Sequence, residues 1–308
     1  MTVREEASGT LDRMRIAVFG LGYVGTVSAA CLASMGHEVV GVDVNGDKVD
    51  QVAGGRTPVL EEGVGELIAE AVDAGRLRAT TSVADAVAAT DLAFVCVGTP
   101  SRPGGALSTD HLERVAAEIG AELPHDRRYV VVIRSTMLPG TCARVVVPQL
   151  SKASGLEPGT GFGVCVHPEF LREGTAVRDF FEPPKTVIGT EDEHVAELVA
   201  SLYESVPGEV FRVPTKVAEM TKYVDNSFHA VKVAFANEIG SICKASGIDA
   251  HDVMDIFKAD TKLNISAAYL TPGSPFGGSC LPKDVRALNH HARHQDLSVP
   301  LLSSVATS

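Results

Sequence analysis

No C-x-x-C pair occurs among the six cysteines of this 308-residue chain (Cys31, Cys96, Cys142, Cys165, Cys243 and Cys280). That spacing argues against a structural zinc site or a disulfide framework and suits reduced cytosolic thiols. Basic residues are scarce too: 27 Lys and Arg face 39 Asp and Glu, a formal charge of −12. Such a field disfavours nucleic acid and anionic membranes, so any phosphate-bearing ligand has to be held by local donors. The first residues lack the apolar stretch of a signal peptide, and no apolar run is long enough to span a bilayer. Internal repeats and low-complexity tracts are also missing. What remains is a globular chain, 45% hydrophobic and 21% charged, long enough for two domains and expected to meet small molecules in the cytoplasm.

Residues 1–13 are polar and aperiodic and read as a flexible leader. Structure begins at Arg15. Ile16-Ala17-Val18-Phe19 has the composition of a buried strand, Gly20-Leu21-Gly22-Tyr23-Val24-Gly25 turns into a helix of small residues reaching Met35, and residues 38–42 form a second strand. A lone G-x-G-x-x-G says little. Here it follows a strand, opens a helix and precedes an acid, Asp43, at about the twenty-residue offset of a dinucleotide site. Gly20 then permits the tight turn, Gly22 lets a pyrophosphate approach the backbone, and Gly25 lets the helix pack close to the sheet. A carboxylate at Asp43 would accept hydrogen bonds from the adenosine ribose and repel a 2′-phosphate, which favours NAD over NADP.

Further strands are expected at 92–97, 129–133, 163–166, 186–188 and 209–213, with helices such as 110–122 and 192–205 between them. The alternation predicts an α/β, doubly wound (Rossmann-like) parallel sheet over residues 14–213. Three strand ends carry loops that should face the cofactor: Gly98-Thr99-Pro100, Ser135-Thr136 and the run from Pro168 to Glu173.

From residue 214 to 308 the pattern changes to an all-helical domain built on one long helix, 215–246, ended by Gly247. Lys222, Asn226, His229, Val233 and Asn237 recur there at intervals of three or four, a stripe polar in its first half. Val217, Met220, Val224, Phe228, Val231 and Phe235 lie at other angles, so the helix is expected to be buried on more than one side. His290, His291 and His294 lack a carboxylate or thiol at helical spacing to complete a ligand set, and no metal is expected.

Near the end stands Phe276-Gly277-Gly278-Ser279-Cys280-Leu281-Pro282-Lys283-Asp284. Pro282 fits the first turn of a helix running to about His294, which puts Cys280 at a helix N-terminus beside Lys283. The dipole and that cation favour thiolate, hence a nucleophile. Lys222 and Asn226 beside a hydride-accepting cofactor suit alcohol oxidation, with the amine and amide stabilising charge on the substrate oxygen. A thiolate adds a second stage. It can trap the aldehyde as a thiohemiacetal, and after a second hydride leaves, the thioester is hydrolysed to an acid. The 3-hydroxyacid dehydrogenases also join a dinucleotide domain to a helix bearing Lys-x-x-x-Asn, without needing the cysteine. A non-catalytic nucleotide-binding fragment is a further alternative.

Gly20 to Gly25, Cys96-Val-Gly-Thr-Pro100, Ser135-Thr136 with Pro139-Gly-Thr141, Pro168-Glu-Phe-Leu-Arg-Glu-Gly174, Lys222 with Asn226, and Gly277 to Asp284 together resemble the UDP-glucose/GDP-mannose dehydrogenases in order and spacing. The resemblance implies a four-electron, NAD-dependent oxidation of a nucleotide sugar at C6, with Cys280 as nucleophile. Lys222 and Asn226 would stabilise the oxyanion, Asp284 and Glu173 would assist water and proton transfer, and Thr136 would hold that water or the cofactor. Tyr23, Val24, Asp43, Lys48, Thr99 and Lys283 would contact NAD. Glu169, Phe170, Leu171, His229, Asn237, Tyr269 and Gly277 would lie against the substrate. Pro183-Pro-Lys-Thr-Val-Ile-Gly189 and Asp260-Thr-Lys-Leu-Asn264 look closer to the GDP-mannose 6-dehydrogenases, although Ala268 and Thr271 stand where that subgroup carries aromatic and basic residues. UDP-glucose is the alternative substrate. A homodimer through the long helix is also implied. Members of the family continue into a C-terminal α/β domain that closes over the nucleotide. This chain ends at Ser308, so it is expected to bind NAD but to turn over nucleotide sugar poorly alone.

Overall fold

The computed structural model describes residues 13–270, 272, 276, 281–305 and 307. Two compact units divide the chain between Tyr223 and Val224. In the first, eight strands form one sheet in the order β3-β2-β1-β4-β5-β6-β7-β8. They are β1 (Arg15–Phe19), β2 (Glu38–Val42), β3 (Leu77–Thr80), β4 (Leu92–Val95), β5 (Tyr129–Ile133), β6 (Phe162–Val166), β7 (Thr186–Gly189) and β8 (Val210–Val213).

The central strands read as nearly unbroken apolar runs because both faces of the sheet are covered. Side chains alternate along each strand, so Ile16 and Val18 enter one core with Leu32, Ile68 and Phe94, while Ala17 and Phe19 enter the other with Val95, Ile119 and Leu150. The first core is closed by helices including α1 (Tyr23–Ser34), α3 (Val64–Asp73) and α8 (Glu193–Ser201). The second is closed by α4 (Val83–Ala89), α5 (Asp110–Ala121) and α6 (Val147–Ser154). Between α1 and α3 lies α2 (Gly46–Ala53), and α7 (Ala176–Phe181) precedes β7.

One pairing departs from the expected parallel sheet: β6 and β7 run antiparallel and meet at a single pair, Val166 with Gly189. The loop leaving the carboxyl end of β6 enters β7 at that same end, so no crossover is needed. The strand order reverses between β1 and β4, which makes their carboxyl ends the place where a doubly wound sheet binds its ligand.

Helix α9 (Thr215–Ala245) starts in the first unit, where Ala218 and Glu219 are fully buried. It ends at Gly247, whose φ of +69° suits the left-handed turn that stops a helix, and the Ile248 N–H closes that turn on the Cys243 carbonyl at 2.9 Å. The second unit continues with α10 (Ala250–Ala259), α11 (Leu281–His294) and α12 (Pro300–Val305). Its small core is Ile242, Ala292, Val299 and Leu302, with Phe235, Ile239, Leu288 and Leu297 against it. Glu238 of α9 caps α12, accepting from the Leu301 and Leu302 N–H groups at 2.7 and 2.9 Å.

The expected burial of α9 on several sides is not found. Val217, Met220, Val224, Phe228 and Val231 are all exposed in the chain as it stands. A helical pattern records which residues share a face, not whether this chain supplies their cover.

Candidate active site

The glycines of the first turn behave as the dinucleotide reading requires. Gly20 has φ +95°. A Cβ on Gly25 would overlap the Gly20 carbonyl, whereas Gly22 faces open space. Gly22 also caps α1 without a side-chain bond, leaving the first-turn N–H groups free for an anion. At the end of β2 the Asp43 carboxylate accepts from Leu21 N (2.7 Å) and Asn45 N (2.9 Å), and Lys48 Nζ lies 3.3 Å away. These bonds fix Asp43 at the mouth of a cleft of about 380 Å³ that includes Gly20, Gly22, Val97 and Gly98. The cradle therefore fits a dinucleotide. Sequence reasoning missed His111 and Arg114, which α5 brings to the same cleft across more than sixty residues of chain.

Two more strand ends are stitched together beside it. Thr99 Oγ1 donates to the Thr136 carbonyl at 2.6 Å, and Ser135 Oγ donates to the Val97 carbonyl at 2.7 Å. Glu219, buried on α9, accepts from the N–H groups of Gly140 and of Cys142 (2.8 Å for the latter), so the loop after Thr136 is tied to the helix that carries Lys222. Lys222 Nζ pairs with Glu169 at 2.9 Å, with both side chains about nine-tenths buried, and lies 5.7 Å from the centre of the Phe170 ring. Glu169 also accepts from Leu171 N at 2.7 Å. The structure thus places Glu169, expected beside substrate, as the counter-ion of Lys222. Glu173 in the same loop is exposed.

Beneath this loop lie two groups with no sequence signal. His167 Nδ1 donates to the Val187 carbonyl at 2.7 Å, and burial first of all holds the ring neutral, its pKa lowered to about 3. Arg134 donates to Tyr203 Oη at 3.0 Å. Together these bonds join the ends of β5 and β6 to β7 and to the segment that follows α8. Glu61, between α2 and α3, also escaped notice, although its carboxylate meets both Tyr23 and the Gly174 backbone.

Five cysteines are free and buried: Cys31, Cys96, Cys142, Cys165 and Cys243. Burial pushes Cys31, Cys96 and Cys142 up to about 12, far from a usable thiolate. Cys280 and Gly277 lie outside the described residues, as does Thr271. In the second unit Asn226, His229 and Asn237 are exposed on α9, and Tyr269 is exposed with φ +65°. Pro282 sits in the first turn of α11, and Lys283 pairs with Asp284 at 3.3 Å on the surface. His290 and His294 bond each other at 2.9 Å, and His291 bonds Ser246 at 3.0 Å.

Residues 14–207 match the UDP-glucose/GDP-mannose dehydrogenase family, NAD binding domain, and residues 216–308 match the same family's central domain. The chain belongs to this family. Its cofactor is accordingly NAD. A GDP-mannose 6-dehydrogenase of Azotobacter vinelandii is 51% identical over 296 residues, covering 96% of this chain and 68% of that protein. A UDP-glucose 6-dehydrogenase of Haloferax volcanii is 39% identical, covering 94% and 68%. A ternary complex of GDP-mannose dehydrogenase from Pseudomonas aeruginosa superposes with a TM-score of 0.94 at 47% identity, covering 96% and 68%. A UDP-glucose dehydrogenase from Pyrobaculum islandicum gives 0.80 at 36%, covering 98% and 69%.

Proposed function

We propose that this chain oxidises the C6 alcohol of a nucleotide sugar to the acid, with GDP-mannose as substrate. The observation that carries the reading is the delivery of Lys222 by α9 to the carboxyl ends of the sheet, where Glu169 and Phe170 hold it. Bound NAD supplies the hydride acceptor, and two equivalents are reduced for each alcohol taken to the acid. Lys222, joined by Asn226, stabilises charge as the substrate oxygen becomes an alkoxide. The Cys280 thiolate adds to the aldehyde carbon to give a thiohemiacetal. Loss of the second hydride leaves a thioester, and water cleaves the carbon–sulfur bond to return the thiol and release the carboxylate. Glu173 and Asp284 assist that water, and Thr136 positions it. The higher identity to GDP-mannose than to UDP-glucose enzymes supports the choice of sugar nucleotide.

The active form is a cytoplasmic homodimer joined along α9. Val224, Phe228 and Val231 of that helix, 53, 42 and 46% exposed, are the apolar surface such an interface would cover. Among the described residues no helix is long and apolar enough to cross a membrane.

Steady-state assays with GDP-mannose and UDP-glucose, scored for NADH and product, test the reading. Two NADH per sugar and an acid product, with the larger kcat/KM for GDP-mannose, are expected. One NADH and an aldehyde would replace it with a two-electron mechanism of the 3-hydroxyacid type. A preference for UDP-glucose would leave the chemistry standing and overturn the substrate.

A further inference from the structure

Glu61 is poorly explained as part of its own segment. It precedes α3, yet the α3 N-cap, Gly63, makes no side-chain bond and the Glu61 carboxylate is directed elsewhere. Oε2 accepts from Tyr23 Oη at 2.5 Å and from Gly174 N at 2.7 Å, while Oε1 accepts from Ala176 N at 2.8 Å. Tyr23 opens α1 at the dinucleotide turn, and Gly174 follows Glu173. Tyr23 Oη lies in addition 3.4 Å from the Arg172 carbonyl.

We propose that Glu61 is a positioning residue, a strap joining the dinucleotide loop at Tyr23 to the loop that carries Glu169 and Glu173. Capping α7 alone would need only the two backbone N–H groups; the phenol is the contact that such a role leaves unexplained. The far side of the strap is already stiff. Arg172 holds Asp179 through Nε at 2.9 Å and Nη2 at 2.6 Å, and Asp179 accepts again from Arg172 N and Thr175 Oγ1 at 3.0 Å each. A shift at Gly174 is therefore shared by residues 172–179 as one body. Partial burial works to raise the Glu61 pKa, and the bonds from Tyr23, Gly174 and Ala176 outweigh it, so the carboxylate stays charged. Burial first, then the Glu61 bond, pushes the Tyr23 phenol up, so it remains a donor. A dinucleotide that orders Tyr23 would order the Glu173 loop through this one carboxylate. The inference rests on the reading of Tyr23 as a cofactor contact.

Hydrogen exchange at the Gly174 and Ala176 amides, with NAD affinity by calorimetry, tests it in the full chain, in Tyr23→Phe and in Glu61→Gln. Tyr23→Phe keeps the ring that packs against the first core. It touches neither amide, yet exchange there should speed up several-fold without NAD, and the slowing that NAD causes in the unaltered chain should disappear. Glu61→Gln should speed the same amides and weaken NAD by about tenfold, the scale of one lost hydrogen bond. The double variant should bind NAD no worse than Glu61→Gln alone. Unchanged exchange in Tyr23→Phe, or additive losses of affinity in the double variant, would overturn the strap. Failure of the unaltered chain to bind NAD would instead remove the cofactor reading of Tyr23, and the NAD-free comparison would still decide the strap.

Discussion

The two units of this chain satisfy their apolar residues in different ways. The sheet unit buries them within itself: β1, β2, β4 and β5 each have four or five buried positions, and the two cores cover both faces. Among the described residues, the helical unit has four in its buried cluster and leaves Val224, Phe228, Val231, Val233 and Ile256 exposed. A parallel sheet obtains its covering helices from its own crossovers, so its closure is a property of one chain. A long helix has no such guarantee. The difference separates a unit that covers its own apolar residues from one that leaves several of them exposed along α9.

If binding and chemistry divide between these units, the most damaging change should come from the helical side and leave the sheet side intact. If the Cys280 thiol carries the proposed covalent stage and takes no part in cofactor binding, Cys280→Ser is expected to abolish acid formation while NAD affinity and Tm stay unchanged. NADH release per GDP-mannose and calorimetry with NAD check the two halves of that statement. Equal loss of NAD binding would mean that the thiol supports the cofactor rather than the sugar. Lys222→Ala should follow, lowering kcat by about 10²–10³, the usual scale for one lost oxyanion donor. It also strips Glu169 of its cation, so Glu169→Gln combined with Lys222→Ala should be less than additive in a double-mutant cycle. Additive losses would show that the pair acts as two independent residues.

What the sequence makes legible follows the same division. Gly20, Gly22, Gly25 and Asp43 can be read because a dinucleotide turn is local: strand, loop, helix and acid fall within one βαβ unit. Lys222 and the extent of α9 can be read from helical spacing. The partners of these residues cannot. Glu169 meets Lys222, Glu219 reaches 77 residues back to the Cys142 N–H, and Glu61 reaches 115 residues forward to the Ala176 N–H. Each is a surface-type residue whose role exists only after the sheet has brought distant loops together. The antiparallel β7 was hidden for a related reason, since an apolar run has no direction. Periodicity puts Val217, Met220 and Val224 on one face of α9 without saying what covers it, and all three are exposed.

Next in size is a test of the sheet unit's self-sufficiency. Phe94, fully buried on β4, stands edge-on to His167 at 6.3 Å between ring centres and close to Arg134. Phe94→Ala should cost about 3–5 kcal/mol, the range for emptying a large buried aromatic site. Urea unfolding followed at low protein concentration measures it. A loss below about 1 kcal/mol, the average for any point change, would mean that the first core can collapse around the gap and is less tightly closed than its burial implies.

The smallest effect on the folded chain, and the sharpest on the comparison, is expected at Val231. Its side chain is exposed on α9, so Val231→Asp should change the stability of a dilute monomer by no more than about 0.5 kcal/mol, as for an ordinary surface substitution. A second copy laid along α9 would, however, have to bury that carboxylate in an apolar seam without a partner, and an unpaired charge there is far more costly. Sedimentation should then show the unaltered chain associating and the variant monomeric, at equal NAD affinity because the dinucleotide cleft lies in the other unit. Association that survives both Val231→Asp and Phe228→Asp would place the contact elsewhere. The exposed stripe of α9 would then need a different occupant.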